Sequence, residues 1–343
     1  MNNSAPLPKV SSSFARNWLT CGLPYFLGPE EQRRSLLVEL PANSDRTMLN
    51  FRVQPKDNFY TDAIVLVLYR LTEERELEYV NPEGTYTPVF LEFYDGPARR
   101  MWQTEPIHWA NLAGQGYAPH FLFVPNIMAG GSTYSCRVTN YDDSYNYAIG
   151  VYFIGRLLRT TGPRGGAPIH PPTQYMSSLI EAQRAKGQGQ HTLRPNNEFN
   201  LEYVGVSAAL GVSDQPLDLP TGTYDAPVRG TDHIRTNAEW DFFLRYQRAR
   251  VIPEYPLQVG DASLPSLYIK WPLFLELRDE RFQFSLSNVP VALPCCCGWA
   301  GQPFVFPVDW VWERSADIAV NLWSSTSEAG EISLMWEGWN RKP

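Results

Sequence analysis

Two stretches 184 residues apart constrain the whole chain. "TPVFLEFYDG" lies over "WPLFLELRDE", so Pro88 matches Pro272, Phe90, Leu91 and Glu92 match Phe274, Leu275 and Glu276, and Asp95 matches Asp279. The same offset carries Pro106 onto Pro290, Gly114 onto Gly298 and Pro119 onto Pro303. Composition alone would give roughly two such identities in this 33-residue window, where eight occur. Further on, Tyr134, Cys136 and Val138 overlie Ile318, Val320 and Leu322, while Gly155 falls one residue out of step with Gly338. A repeat of this length predicts two units of one plan, each burying its own core.

The plan is all-β. From about Ser35 the chain runs through short apolar, β-branched and aromatic segments such as "MLNFRVQP", "DAIVLVLYRL", "HFLFVP" and "YAIGVYFIG". In "STYSCRVTN" strict alternation puts Tyr134, Cys136 and Val138 on one face. Turn signals ("NPEG", "YDG", "AGG") separate the runs, and long amphipathic helical patterns are missing. These features predict an antiparallel β-sandwich over 35–157 and a second over 199–343. Residues 1–34, rich in Pro, Ser and Asn, read as an N-terminal arm. Residues 158–198 read as a Gly/Pro linker in which Met176, Leu179 and Ile180 mark one short helix ended by Gly187.

Two sandwiches in tandem, related by internal duplication, resemble the double jelly-roll viral structural proteins of the capsid and cement type. The resemblance is architectural and covers most of the chain. It implies a structural virion protein, of a bacteriophage, serving as capsid, cement or head appendage. Its partners would be itself, as a homotrimer presenting six sandwiches, and other virion proteins. It implies synthesis in the host cytoplasm and residence in the virion. Jelly rolls also serve as lectin domains, so a carbohydrate-binding role is the alternative.

Composition agrees with a chain that spends surface on partners. Of 29 basic residues only five are Lys and 24 are Arg, and aromatic residues make up 13%. Arg and aromatics are enriched at interface cores, where Lys is depleted. The net charge of −7 argues against a nucleic-acid partner, since phosphate contacts need a basic footprint. No apolar run approaches the roughly 18–20 residues that span a bilayer. The opening "MNNSAPLPKVSSSF" lacks a hydrophobic signal core, which points to cytosolic synthesis.

Chemistry-bearing residues do not assemble into a motif, and no catalytic, cofactor or metal residue is assigned. His108, His120, His170, His191 and His233 include no pair at metal-gripping spacing. Ser132 follows two glycines but belongs to no nucleophile elbow, and "GPRGGAP" lacks the Lys-Ser/Thr ending of a phosphate loop. Asp142 and Asp143 lack a calcium ladder and read as a hairpin loop. Glu92 and Glu276 sit between apolar neighbours and read as partners of Arg. Trp299, Trp310, Trp312, Trp323, Trp336 and Trp339 crowd the last 45 residues. They suit a core or interface first and a sugar platform second.

Cys295, Cys296 and Cys297 are consecutive and lack the two-residue gap of a zinc-binding turn. With Cys21 and Cys136 elsewhere, they are expected to be small apolar filler in a loop, replacing Asn111, Leu112 and Ala113 of the first unit. A disulfide is not expected in a reducing cytosol.

Overall fold

The computed structural model describes residues 23–341, except 56, 83–86, 97–99, 104, 113, 115, 117, 160–198, 213, 237, 254–270 and 300–301. In the first half the elements are β1 (Leu23–Leu27), helical turn α1 (Gln32–Ser35), β2 (Val38–Leu40), β3 (Thr47–Arg52), β4 (Asp57–Leu71) and β5 (Leu77–Tyr79). There follow β6 (Val89–Asp95), β7 (Arg100–Met101), β8 (Ile107–His108), a 3-10 turn (Trp109–Asn111), β9 (His120–Met128), β10 (Thr133–Asn140) and β11 (Asn146–Arg159). The second half contains β12 (Phe199–Leu210), β13 (Val228–Arg235), β14 (Asp241–Pro253), β15 (Leu273–Asp279) and β16 (Phe284–Ser285). It ends with β17 (Val291–Ala292), helical turn α2 (Leu293–Cys296), β18 (Phe304–Trp312), β19 (Asp317–Ser324) and β20 (Gly330–Arg341).

Each half is a two-sheet antiparallel sandwich with jelly-roll order. In the first, β1-β11-β4-β9 packs on β3-β10-β6-β8; in the second, β12-β20-β14-β18 packs on β13-β19-β15-β17. The order is what a folded-over pair of Greek keys produces, and it brings first and last strands together in one sheet. The register also agrees. Asp95 faces Tyr134 in one sandwich, and Asp279 faces Ile318 in the other, both 184 residues further on.

The two glycines, Gly155 and Gly338, share a structural cause. In β4 the register slips between Thr61 and Ala63, leaving Asp62 as the extra residue of a β-bulge, and in β14 it slips between Leu244 and Tyr246, leaving Arg245. Opposite each bulge stands a glycine. A Cβ on Gly155 would lie 1.9 Å from the Tyr60 carbonyl oxygen, and one on Gly338 would lie 2.0 Å from that of Phe243. Both bulges demand a residue without a side chain.

One stretch differs from the sequence reading. Leu23–Leu27, placed in the expected arm, form β1 and are buried along their whole length. Sandwiched between β11 and the second half, the run has no solvent face and so shows no alternation. The expected linker helix lies outside the described residues. The main sheets differ in residue pattern. The continuous apolar runs of β4 and β11 are buried on both faces, whereas β14 and β20 alternate buried with half-buried or exposed residues.

Candidate functional site

The two faces of β4 and β11 are buried for different reasons. One packs into the first sandwich; the other meets the second, at a seam made from the corner that carries the cysteines. Pro294, in the first turn of α2, suits a helix start because its missing N–H would be unpaired there anyway. The Cys297 N–H then closes the turn on the Leu293 carbonyl at 2.8 Å. Thus the cysteines form a helical turn and its cap, not a loop, and all three are at most 2% exposed.

Both sandwiches hold this turn. From the second, the buried Gln247 amide donates to the Cys296 carbonyl at 3.1 Å and to Cys297 Sγ at 3.3 Å, while its oxygen accepts from Trp336 Nε1 at 2.8 Å. From the first, the Gly116 N–H donates to the Pro294 carbonyl at 2.6 Å. The Tyr152 hydroxyl accepts from the Ala292 N–H at 3.2 Å, and the Tyr69 hydroxyl donates to the Trp271 carbonyl at 3.4 Å. Burial pushes the Cys295 and Cys296 thiols far above their ordinary range, so neither is a ready thiolate. Sequence reading missed Gln247; a lone Gln between aromatic and basic neighbours on a strand gives no signal of burial.

The seam continues along the free edge of β1. Phe26 N–H donates to the Leu286 carbonyl at 2.9 Å. Asn288 grips the Gly28 backbone twice, accepting from its N–H and donating to its carbonyl, each at 2.7 Å. Val289 presses so close that a Cβ on Gly28 would lie 2.3 Å from its Cγ2. At the far end Arg75, in a left-handed conformation (φ 64°), donates to Glu39 and Asp225 at once and lies over the Tyr224 ring at 4.9 Å. Its hydrogen bonds hold the Asp225 carboxyl below the usual range. Burial, with the Glu39 charge adding, pushes the Tyr224 phenol up to about 12.

A buried carboxylate marks one bulge and a partly buried one the other. Arg156 and Asp62 form a two-bonded pair at 3.1 and 3.2 Å with both side chains under 5% exposed. Burial raises the Asp62 carboxyl and the guanidinium opposes it. In the second sandwich the signs reverse, with Arg245 in the bulge and Asp309 of β18 as partner at 3.1 Å. Burial raises Asp309 also.

The residues singled out from sequence separate into ordinary roles. His108 accepts from the Ala110 N–H at 3.3 Å on Nδ1, leaving Nε2 to donate to the Thr87 carbonyl at 2.8 Å. His233 Nδ1 meets Asp317 at 2.8 Å, His120 is exposed on β9, and His170 and His191 lie outside the described residues. Ser132 sits in the β9–β10 turn. Asp142 folds its hairpin by accepting from the N–H groups of Ser144 and Tyr145 and from the Tyr147 hydroxyl. Glu92 pairs with Arg137, but Glu276 accepts instead from Ser285 Oγ at 2.8 Å and Asn321 Nδ2 at 3.2 Å. Cys136 is buried and Cys21 lies outside the described residues. Among the described residues no group of three or more His, Cys, Asp or Glu is placed to hold a metal ion.

The tryptophans divide by face. Trp310, Trp312 and Trp336 are fully buried in the second core, where Trp312 meets Trp310 edge to face and lies tilted against Trp336. Trp339 stacks on Phe243 at 6.0 Å across the outer face of β20 and β14. Trp323 is partly exposed on the outer face of the other sheet, with the Arg229 guanidinium 5.0 Å over its ring. Beside it Asn321 accepts from Arg229 at 2.5 Å and Thr231 at 2.9 Å.

No protein-family model matches the chain, and no curated protein matches it. Among solved structures, a triple jelly-roll protein from the turret of an archaeal virus is similar over 89% of this chain and 59% of its own, at 10% identity and TM-score 0.20. The human MASP-1/3 CUB1-EGF-CUB2 segment is similar over 92% and 99%, at 8% and 0.19. The VP2 subviral particle of infectious bursal disease virus is similar over 92% and 80%, at 9% and 0.18. Likeness at this level carries no functional inference; the jelly-roll assignment rests on strand order. No helix among the described residues is long and apolar enough to cross a membrane.

Proposed function

We propose that the chain is a structural virion protein of a bacteriophage, one that builds a capsid, its cement layer or a head appendage through contacts with itself and with other virion proteins. The two sandwiches are read as copies made by duplication, and the assembled form as a homotrimer. The observation that carries this reading is the seam. Two jelly rolls are locked by burying β1, β4 and β11 on both faces, which yields one block with broad outer faces. Exposed Met48, Tyr94 and Met101 share an outer face of the first sandwich around the Arg137–Glu92 pair, the residue types that anchor interfaces. Negative-stain imaging and native mass measurement of the purified chain test it. Trimers or regular particles support assembly; a monomer at every concentration removes it.

A second reading, carbohydrate binding, is favoured by the Trp323 face, where an indole stands beside the hydrogen-bonding side chains of Arg229, Thr231 and Glu276. An apolar ring flanked by polar groups suits the mixed surface of a sugar. A neutral glycan array with the full chain distinguishes the two readings.

A further inference from the structure

The seam within the chain has a counterpart on the second sandwich that is open among the described residues. Leu27 faces Phe153 on β11, and Val204 faces Trp336 on β20, at the same place in the shared topology. The next residues are Gly28 and Gly205. At Gly28 the bare backbone seats Val289 of the second sandwich. Gly205 is exposed, and the nearest atom to a Cβ built there is the Leu334 carbonyl oxygen at 3.2 Å. A strand glycine with no other described side chain upon it is suited to close approach by another backbone.

The chemistry around the two glycines differs in a consistent way. Across from Gly28, Tyr152 pairs with Val65 and Gly150 with Val67; at the matching places Met335 pairs with Arg248 and Ser333 with Arg250. Val65 and Val67 are buried, whereas Arg250 is exposed and Arg248 is half-buried beside Glu337. The knob changes with the socket. Val289 precedes Pro290, and in the first sandwich the residue before the matching Pro106 is Glu105, which is exposed. A valine at a corner docking near a valine-bearing face thus has, as its counterparts, a glutamate and an arginine-bearing face.

We propose that the outer face of β12, β20 and β14 around Gly205 receives the Glu105 corner of a second copy of this chain, repeating between molecules the contact that joins the two sandwiches within one. The proposal rests on the self-assembly reading and names its surface. Because donor and acceptor patches differ, the contact is head-to-tail and closes into a ring only if the rotation allows; three copies would alternate six sandwiches. A charged version suits a contact that must stay open until subunits meet, since an apolar one would be exposed in the free chain.

The test is sedimentation velocity of the full chain over a concentration series at low and high salt, for wild type, Glu105→Arg, Arg250→Glu and the double variant. The expected result is salt-weakened association, loss of roughly tenfold or more in each single variant, and recovery in the double variant. Gly205→Val, checked for folding by its melting curve, is expected to be a folded monomer. Equal association in all variants overturns this surface while leaving self-assembly standing. A wild type that is monomeric throughout overturns both, and single-variant losses that the double variant does not restore overturn the Glu105–Arg250 pairing.

Discussion

The amide of Gly116 in the first sandwich donates to the carbonyl of Pro294 in the second at 2.6 Å, and a Cβ on Gly116 would stand 2.8 Å from the Cys297 carbonyl oxygen and 3.0 Å from that of Cys295. Three backbone atoms of one jelly roll therefore define the space left for a residue of the other. Backbone cannot yield as a side-chain tip can. Gly116→Ala is expected to lower stability by about 1–3 kcal/mol through overpacking, read as a shifted urea midpoint with an unchanged slope. An unshifted midpoint would show that the seam relaxes.

The cysteine turn is expected to be chemically silent in the folded protein. With Cys295 and Cys296 buried and their thiols pushed up, alkylation should wait for unfolding. Peptide mapping after brief iodoacetamide exposure should find both unmodified in native buffer and both modified in denaturant. Zinc or a chelator should leave the melting curve unmoved. Native labelling at either position counts against the buried turn.

The Arg156–Asp62 pair predicts an asymmetric cost. Arg156→Met strands a buried carboxylate and should cost about 3–5 kcal/mol, whereas adding Asp62→Leu should recover most of that. Denaturant melts of the two single variants and the double variant measure the coupling. Independent, additive losses would mean that the ion pair is not what the bulge encloses.

Asp142 gives the acid limb of stability one identifiable component. Burial raises its carboxyl, but hydrogen bonds from the Tyr147 hydroxyl and from the Ser144 and Tyr145 amides together outweigh this and lower it. A carboxyl lowered on folding stabilises above its unfolded value of about 3.9, and that contribution is lost as pH falls through the folded one. Asp142→Asn should therefore lower stability by a constant amount between pH 7 and 8 and flatten the profile below about pH 4, where that contribution is lost in the wild type. Calcium should not shift the wild-type curve, since both Asp142 oxygens are engaged within the hairpin. An unchanged acid limb in the variant would remove Asp142 from the account.

Much of the fold was legible because strand burial writes itself as period. The identities of Pro88, Phe90, Leu91, Glu92 and Asp95 with their partners mark β6 and β15, and Asp279 explains one of them, since its carboxylate accepts the Arg281 and Phe282 amides in the turn that follows. Apolar runs announced β4 and β11 as strands, and the structure added that both their faces are buried. Less was legible where a run is short or its partner distant. Leu23–Leu27 looked like part of an arm because five residues without alternation carry no strand period. Glu92 met the arginine expected of it and Glu276 did not, since the residue opposite is Arg137 in one sandwich and Asn321 in the other.

The sequence by itself determined the all-β class, the repeating strand grammar and the glycines at bulges and corners, because each follows from local sterics and from the alternation of side chains across a sheet. Only the tertiary structure decided that the three cysteines lie between the sandwiches, that Gln247 satisfies their backbone, and that Gly28 and Gly205 occupy matching places with different neighbours. Those relations join residues 49 to 261 positions apart, and contact at such distance is set by how each sandwich closes and how the two dock, not by local pattern.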